Sequence, residues 1–301
     1  MKMKPIKQKT VIYLLMTSML WCFALNTDAQ TKRALIVGIS DYGNTQEDPN
    51  MWSNISGAND VELLSPLFKK QGYKVTTLTD EQATYSNITG ALKKIAKDVK
   101  KGEIVYLHFS MHGQPYEDLN GDETDGWDEA LIPVDAQMYY NKGEYDGKKH
   151  LIDDELETYI SKIRSKIGAS GELFVVLDAC HSGTASRGDD EHIRGVRDGF
   201  TRSGKNYTPD RSAETNEYFK LPSEEGLSPV TFLEACRSYQ QNKEILDYES
   251  KIWYGSLSYY VAKAMAEHQV DKSIGWIDAV KSGMLGDRRL RKQNMVIESS
   301  K

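Results

Sequence analysis

Short runs of apolar residues do most to restrict the fold of this chain. Residues 33–40 (RALIVGIS), 103–110 (EIVYLHFS) and 173–177 (LFVVL) are largely apolar and lack an alternation of polar and apolar side chains. Such runs are typical of β-strands that are buried on both faces. Because parallel strands need crossover connections, usually helices, the pattern predicts an α/β fold with helices on both faces of the sheet.

Segments with helical spacing separate these runs. Apolar residues recur at intervals of three or four in five segments, which predict helices at 58–72, 88–99, 152–167, 255–265 and 275–284. Six strands are predicted, at 33–40, 73–78, 103–110, 173–177, 231–236 and 294–297. The sequence therefore predicts a mostly parallel six-stranded sheet. Pro66 lies inside the first helical segment and cannot donate a backbone hydrogen bond, so we expect a kink or a helix restart there.

Residues 1–29 have the organisation of a secretory signal peptide. Lysines precede an apolar run at 11–25, and the small residues Thr27 and Ala29 follow it. The run is shorter than the roughly 20 residues of a spanning helix, which favours a signal peptide cut after Ala29 over a retained membrane anchor. We therefore expect an exported protein, periplasmic or extracellular, with one domain at 30–301 and no stable membrane association after signal removal.

Charge and cysteine content exclude two classes of protein. The formal net charge of -6, from 38 basic and 44 acidic residues, leaves no basic excess for coating nucleic acid. Three cysteines are too few for a disulfide framework. Cys180 and Cys236 lie outside the predicted signal peptide and could pair in an oxidising compartment. We expect instead that Cys180 stays reduced for chemistry and that Cys236 is a small buried apolar residue.

Reactive side chains follow two of the predicted buried strands. His112 comes two residues after the strand at 103–110, and Cys180 three residues after the strand at 173–177. Ligands of open α/β sheets bind beyond the carboxyl ends of the strands, so neighbouring strands would bring the imidazole and the thiol together. A histidine can deprotonate a cysteine and later protonate a leaving amine. His181 is the competing base, but on an extended backbone it points away from Cys180, so we favour His112.

Several ordered blocks resemble the caspase-like cysteine peptidases, in the metacaspase branch and more narrowly its bacterial members. The blocks are 34–40, Asn59 with Asp60, 106–113 (YLHFSMHG), 121–135 (GDETDGWDEALIPVD), 152–156 (IDDEL), 178–184 (DACHSGT), 234–237 (EACR), Glu244 and 255–259. The resemblance covers nearly all of the chain after residue 29. It implies a caspase-like sheet and a cysteine endopeptidase with His112 and Cys180 as the catalytic dyad. The backbone amides of Gly113 and Cys180 would form the oxyanion site.

The resemblance also implies a substrate preference. By similarity to metacaspases, the carboxylates of Asp60 and Asp178 would form the floor of the pocket for the residue before the cut, with Ser110 in its lining. An acidic, partly desolvated pocket selects arginine or lysine, because an unpaired buried charge is costly. The alternatives are helix capping for Asp60 and a strand end bonded to backbone for Ser110. Trp253 is expected in core or rim packing, or as a wall of the cleft.

Calcium is a separate expectation. Asp118, Asn120, Asp122 and Glu129 occupy positions 1, 3, 5 and 12 of an EF-hand-like loop, but Glu123 replaces the required glycine, which disfavours an EF-hand.

The resemblance points instead to Asp128, Asp153 and Asp154 as calcium ligands, with the family's fourth position falling on Arg187. We expect no required cofactor; calcium as an activator and a solvated acidic face are the two interpretations.

The polar and charged segment 185–228 interrupts the alternation of strands and helices, which predicts an exposed linker between large and small subunit regions. Its basic residues are Arg187, Arg194, Arg197, Arg202, Lys205, Arg211 and Lys220. Beside a site that prefers arginine or lysine, the linker is expected to be cut by the enzyme itself; a loop with no regulatory role is the alternative.

For the whole chain we expect a monomer acting on protein or peptide substrates, with no nucleic-acid partner. The main alternative function is a catalytically inactive module of the same fold that serves binding or regulation.

Overall fold

A seven-stranded sheet forms the centre of the fold. The computed structural model describes residues 30–46, 48, 50–180, 192–196, 198–209 and 218–301. Its strands are β1 (Lys32–Gly38), β2 (Tyr73–Thr79), β3 (Ile104–Ser110), β4 (Gly113–Glu117), β5 (Trp127–Leu131), β6 (Leu151–Ile152), β7 (Glu172–Asp178), β8 (Ile193–Arg194), β9 (Tyr218–Lys220), β10 (Val230–Glu234), β11 (Asn242–Asp247), β12 (Ile252–Gly255) and β13 (Val296–Ser299). Its α-helices are α1 (Gly57–Lys70), α2 (Tyr85–Asp98), α3 (Asp153–Ile167), α4 (Ser256–Ala264) and α5 (Gly275–Gly286).

The central sheet has the strand order β2-β1-β3-β7-β10-β13-β9. Its pairings are parallel except for the antiparallel pair of β10 and β13, which confirms the predicted mostly parallel sheet. The predicted number of six strands was wrong. The seventh, β9, has three residues and lies within the segment predicted as a linker, where it pairs with the edge of β13. A strand of three residues in a polar segment has no apolar run long enough to predict it from the sequence. It is recognised only by its pairing with β13.

Both faces of the sheet are covered, as the continuous apolar runs predict. Along β1, Leu35 and Val37 pack into one core together with residues of α2 and α3. The alternating neighbours Ala34 and Ile36 pack into the other core, with residues of α1, α4 and α5. Side chains of a strand point alternately to opposite faces, so burial of all four residues requires a helical layer on each side.

Helix α1 continues through Pro66, so of the two expectations the helix restart was wrong, and the kink stays a prediction. Proline lacks the N–H that would bond the carbonyl group of Glu62, one turn earlier. Both Pro66 and Glu62 are exposed, so water can satisfy that carbonyl group and the helix is not forced to break.

Two three-stranded sheets accompany the central one, in the orders β4-β5-β6 and β12-β11-β8. Residues 32–301 form one compact unit. The predicted signal peptide at 1–29 lies outside the described residues, and no helix within the described ranges has the length and apolar character needed to cross a bilayer.

Candidate active site

The predicted reactive residues lie at the carboxyl ends of neighbouring strands. Strands β3 and β7 pair in parallel, with Ser110 opposite Asp178 at the end of the register. His112 and Cys180 each follow two residues later, and both are buried. Gly113 begins β4 directly after His112. The competing base His181 lies outside the described residues.

The imidazole of His112 is fixed on both of its nitrogens. Nε2 lies 2.8 Å from the carbonyl oxygen of Ser53, an acceptor only, so Nε2 carries the proton and donates it. Nδ1 is then unprotonated and accepts the backbone N–H of Gly195 at 2.8 Å. The ring packs against Trp52 and Tyr42, with centroid distances of 5.2 and 4.9 Å. Burial lowers the pKa of His112 to about 4, although the contact with Ser53 opposes this shift.

The backbone of Gly195 lies against both members of the predicted dyad. Besides its hydrogen bond to His112, a Cβ atom added at Gly195 would collide with the carbonyl oxygen of Cys180 and lie 3.2 Å from the Cys180 Cβ. The φ angle of Gly195 is +113°, a region that side-chain-bearing residues rarely adopt. The thiol of Cys180 donates to the carbonyl oxygen of Gln240 at 2.7 Å. Cys236 is a buried thiol that donates to the same oxygen at 3.5 Å.

Arg194, the residue before Gly195, fills the predicted specificity pocket. Its guanidinium group is fully buried and contacts the two predicted carboxylates, through Nη2 to Oδ2 of Asp60 (2.8 Å) and Nη1 to Oδ1 of Asp178 (3.5 Å). Nη1 also donates to Oγ of Ser110 at 2.6 Å. The structure therefore brings together the three residues assigned to the pocket from the sequence, around an arginine of the same chain.

A third carboxylate, that of Glu244, was not assigned to the pocket from the sequence. Its Oε1 accepts a hydrogen bond from the Nε–H of Arg194 at 3.0 Å and lies 2.9 Å from Nη2 of the same side chain. The backbone N–H of Ser56 donates to the same oxygen at 2.6 Å. Glu244 lies on β11, which pairs antiparallel with the two residues of β8. That pairing joins segments about 50 residues apart, and no local sequence pattern encodes it.

The carboxylates of the pocket outnumber its guanidinium group. Burial and repulsion by Asp178 raise the pKa of Asp60 to about 6, although Arg194 lowers it. Burial also opposes ionisation of Glu244, but the Arg194 guanidinium and hydrogen bonds from His192 and Ser56 together lower its pKa to about 2. Conversely, burial opposes the charge of Arg194, but the three carboxylates hold its pKa above its ordinary value. The pocket therefore stabilises a cation strongly.

Other bonds hold the two predicted pocket carboxylates in place. Oδ2 of Asp178 accepts both the backbone N–H (2.8 Å) and the hydroxyl (2.6 Å) of Ser258. Oδ1 of Asp60 accepts the N–H of Gly255 at 3.0 Å.

The alternative roles for Asp60 and Ser110 do not match the structure. The side chain of Asp60 contacts Ser110 and Arg194 and caps no helix, so the capping alternative was wrong; Ser56 occupies the N-cap position. The backbone-bonded alternative for Ser110 is likewise not what the structure has, because its hydroxyl bonds two side chains.

His192, two residues before Arg194, contacts β11 and Trp253 close to the pocket. The carbonyl oxygen of His192 accepts the N–H of Glu244 at 2.9 Å, which continues the pairing of β8 with β11. The His192 ring stacks on Trp253 with a centroid distance of 4.2 Å. Trp253 therefore packs against the chain segment that carries Arg194, which agrees with either expectation for it. Arg187, Arg197 and Arg211 of the predicted linker lie outside the described residues.

Acidic residues gather near β5, and the tightest group of carboxylate oxygens shares Asp128 with the predicted set of calcium ligands. Carboxylate oxygens of Asp118, Asp122 and Asp128 lie within 4.8 Å of one another. Asp154 accepts a hydrogen bond from Asn120 at 2.7 Å instead. The loop before β5 is flanked by strands β4 and β5, which agrees with the argument against an EF-hand.

Three carboxylates on or beside β5, those of Asp128, Glu129 and Asp153, have raised pKa values. Burial, followed by repulsion from Asp153, raises the pKa of Asp128 to about 7 and that of Glu129 to about 8. Burial also raises the pKa of Asp153 to about 6. Burial and neighbouring carboxylates therefore disfavour ionisation of these three groups.

Known proteins are similar to part of this chain in sequence, and a solved structure is similar to it in fold. A family model described as "Metacaspase, peptidase C14 domain" matches residues 32–187. Metacaspase-1B of Aspergillus fumigatus is 34% identical over 164 residues, which are 51% of this chain and 36% of that protein. Metacaspase-2 of Arabidopsis thaliana is 36% identical over 160 residues, 51% of this chain and 35% of that protein. The matched region thus spans about a third of the length of these relatives.

A solved structure shows the same fold over a longer span. The crystal structure of protein GSU0716 from Geobacter sulfurreducens has a TM-score of 0.58 and 20% identity, covering 90% of this chain and 93% of that chain. The family match itself starts at the first residue of β1, extends beyond Cys180 and covers just over half of the chain. The chain therefore belongs to the metacaspase family of C14 peptidases.

Proposed function

We propose that this protein is a cysteine endopeptidase that cuts after arginine or lysine and first cuts its own linker between Arg194 and Gly195. One observation carries the proposal. Arg194 lies in the acidic pocket while the next backbone amide, that of Gly195, donates to Nδ1 of His112 and lies against Cys180. This placement supports cleavage of the bond between them, because it puts the leaving nitrogen beside the proposed general acid.

The first half of the reaction transfers the acyl group of Arg194 to the enzyme. For attack, the thiol of Cys180 leaves its hydrogen bond to Gln240, its proton passes to Nδ1 of His112, and its sulfur bonds the carbonyl carbon of Arg194. As the carbon–nitrogen bond breaks, Nδ1 returns that proton to the nitrogen of Gly195, 2.8 Å away. The Nε2–H bond to Ser53 keeps the ring in this orientation throughout.

The second half releases the acyl group. Water attacks the thioester carbon while Nδ1 of His112 takes its proton, the carbon–sulfur bond breaks, and the proton returns to Cys180. The amides of Gly113 and Cys180 are the proposed donors to the oxyanion, as the family resemblance implies. A pocket with three carboxylates selects the cationic side chain before the cut.

Other substrates are proposed to bind as the linker does. Residues 193 and 194 add an antiparallel strand to the edge of β11, so backbone hydrogen bonds supply affinity and the pocket supplies specificity. A peptide from another protein can take the same place once the linker has left it.

We also propose that the protein is exported and acts as a monomer. The basic start and the short apolar run of residues 1–29 support export.

Peptide hydrolysis by residues 30–301 tests the proposed function. We expect turnover of short peptide amides ending in arginine or lysine, and a decrease of at least about 1000-fold in Cys180→Ala, because the variant has no nucleophile. Peptides ending in aspartate serve as the negative control. Turnover only after aspartate would contradict the acidic pocket, and no Cys180-dependent turnover on any peptide would favour the inactive binding module.

The acidic group near β5 has the donor chemistry of a calcium site. Asp118, Asp122 and Asp128 offer carboxylate oxygens, the ligands that calcium prefers, and calcium bound there would supply positive charge to the group. Calcium as an activator remains a proposal. A solvated acidic face is the alternative.

Thermal unfolding with and without calcium tests this site. The pKa of Asp128 in the folded protein, about 7, exceeds its unfolded value, so its contribution to stability is present at low pH and lost as pH rises through 7. In the Cys180→Ala background, we expect calcium to raise the melting temperature more at pH 8 than at pH 5.5. Asp128→Asn should raise the calcium-free melting temperature at pH 8 and reduce the calcium effect.

The matched control is Asp278→Asn, an exposed carboxylate on α5. Calcium should stabilise that variant as much as the parent. An equal calcium effect in Asp128→Asn, or none in the parent protein, would favour the solvated acidic face.

A further inference from the structure

The pocket contacts every nitrogen of the arginine side chain. Nη1 donates to Ser110, and Nη2 lies 2.8 Å from Asp60. The remaining nitrogen, Nε, donates to Oε1 of Glu244, which also lies 2.9 Å from Nη2. One carboxylate oxygen of Glu244 therefore accepts the N–H at Nε and also lies within ion-pair distance of Nη2.

A lysine cannot make the Nε contact. Counted from the backbone, the arginine Nε corresponds to the lysine Cε, a methylene group that donates no hydrogen bond. The lysine nitrogen would lie near the position of the arginine Cζ and would have to serve Ser110, Asp60 and Glu244 from one point. Acceptors in fixed positions can bind several N–H groups of the planar guanidinium at once, whereas lysine offers all its N–H groups from a single nitrogen.

The position of Glu244 is fixed independently of the bound side chain. The N–H of Ser56 donates to its Oε1 at 2.6 Å, and pairing of β11 with β12 places it opposite Gly255. The side chain of Glu244 is fully buried, so water cannot readily replace a lost guanidinium contact. An ionised carboxylate facing a methylene group in such a site is costly.

We infer that Glu244 is a specificity-determining residue that makes this pocket prefer arginine over lysine before the cut. The inference rests on the proposed function, because it concerns the substrate of the same site. Asp60 and Asp178 attract either cation. Glu244 adds discrimination, since its contact with Nε exists for arginine alone.

The test compares two peptide amides that are identical except for arginine or lysine before the cut. For residues 30–301, after removal of the linker from the pocket by self-cleavage or by added protease, we expect kcat/KM to be about 10- to 100-fold higher for arginine, the range expected from one hydrogen bond to a charged group. Glu244→Gln should reduce that ratio at least about 10-fold, chiefly by slowing the arginine peptide. The amide oxygen of glutamine can still accept the N–H of Ser56, so the substitution preserves the shape of the site.

The control is Glu249→Gln, an exposed residue in the turn between β11 and β12, which should keep the parent ratio. Both peptides are measured on the same enzyme sample, so a partly unfolded variant changes both rates equally and leaves the ratio intact. An unchanged ratio in Glu244→Gln, or equal rates for the two peptides in the parent enzyme, would overturn the inference. Failure of the proposed function would look different, because neither peptide would then be cut in a Cys180-dependent way.

Discussion

Purified protein is expected to divide at one bond, leaving Arg194 as a new carboxyl terminus and Gly195 as a new amino terminus. The side chain of Arg194 already fills the acidic pocket, and the amide of Gly195 already contacts His112 and lies against Cys180. Positioning of this kind makes cleavage an intramolecular reaction. Intact mass and amino-terminal sequencing of the fragments identify the bond.

Two variants separate this cut from adventitious proteolysis. Cys180→Ala should remain intact for as long as the parent takes to divide completely. Arg194→Ala should slow cleavage of the bond before Gly195 at least about 100-fold, because it removes several hydrogen bonds to charged partners, each contributing about 1.5–3 kcal/mol.

Arg202→Ala is the matched control. Arg202 is an exposed arginine of the same linker whose side chain donates to the carbonyl oxygen of Asp146, away from the pocket. It should divide like the parent. The same fragments from Cys180→Ala, or a cut elsewhere in 185–228 with the bond after Arg194 intact, would contradict the assignment.

The arrangement also determines the order of events. While Arg194 occupies the pocket and β8 occupies the edge of β11, another peptide has no place to bind. Self-cleavage should therefore precede turnover of added peptides, which should begin after a lag. Since the contacts lie within one chain, the half-time of the cut should not change on dilution.

Much of the fold could be predicted from local patterns. The strands at 33–40, 103–110 and 173–177 are apolar on both faces because helices cover both faces of the sheet. Each run could therefore be recognised as a buried strand without knowledge of distant residues. The carboxyl ends of parallel strands share one edge, which is why the sequence alone could place His112 and Cys180 near each other.

The occupant of the pocket could not be predicted in the same way. The linker contains two Arg–Gly pairs, at 187–188 and 194–195, and nothing local distinguishes them. Arg194 lies in the pocket because the two residues of β8 pair with β11. The backbone at Gly195 also leaves no room for a side chain, which suits a glycine after the arginine. The sequence placed Glu244 only among the blocks of the family resemblance; its role in the pocket was missed because the pairing of β8 with β11 directs it towards Arg194.

The buried ion pairs give the largest expected effect on stability. In the Cys180→Ala background, which prevents cleavage, we expect Arg194→Met to lower the free energy of unfolding at pH 8 by about 3–5 kcal/mol. The methionine is apolar and of similar length, so packing is largely kept while three buried carboxylates lose their counter-ion. Urea unfolding of the two proteins measures the difference.

The pH dependence distinguishes lost charge pairing from lost packing. The pKa of Asp60 in the folded protein, about 6 even beside Arg194, exceeds its unfolded value, so its contribution to stability is present at low pH and lost as pH rises through 6. Without Arg194 the folded pKa should rise further, and that of Glu244 should no longer be held low. The destabilisation by Arg194→Met should therefore be small near pH 4, where the carboxylates can take up protons, and largest at pH 8.

Arg202→Met in the same background is the control and should change stability by less than about 0.5 kcal/mol, as is usual for exposed side chains. A destabilisation by Arg194→Met that is equal at pH 4 and pH 8 would mean that the side chain contributes mainly packing. No destabilisation at either pH would mean that the linker leaves the pocket readily in solution. Either result would remove the charge argument for a pocket that demands a cation, because that argument requires the three carboxylates to be costly when they are buried alone.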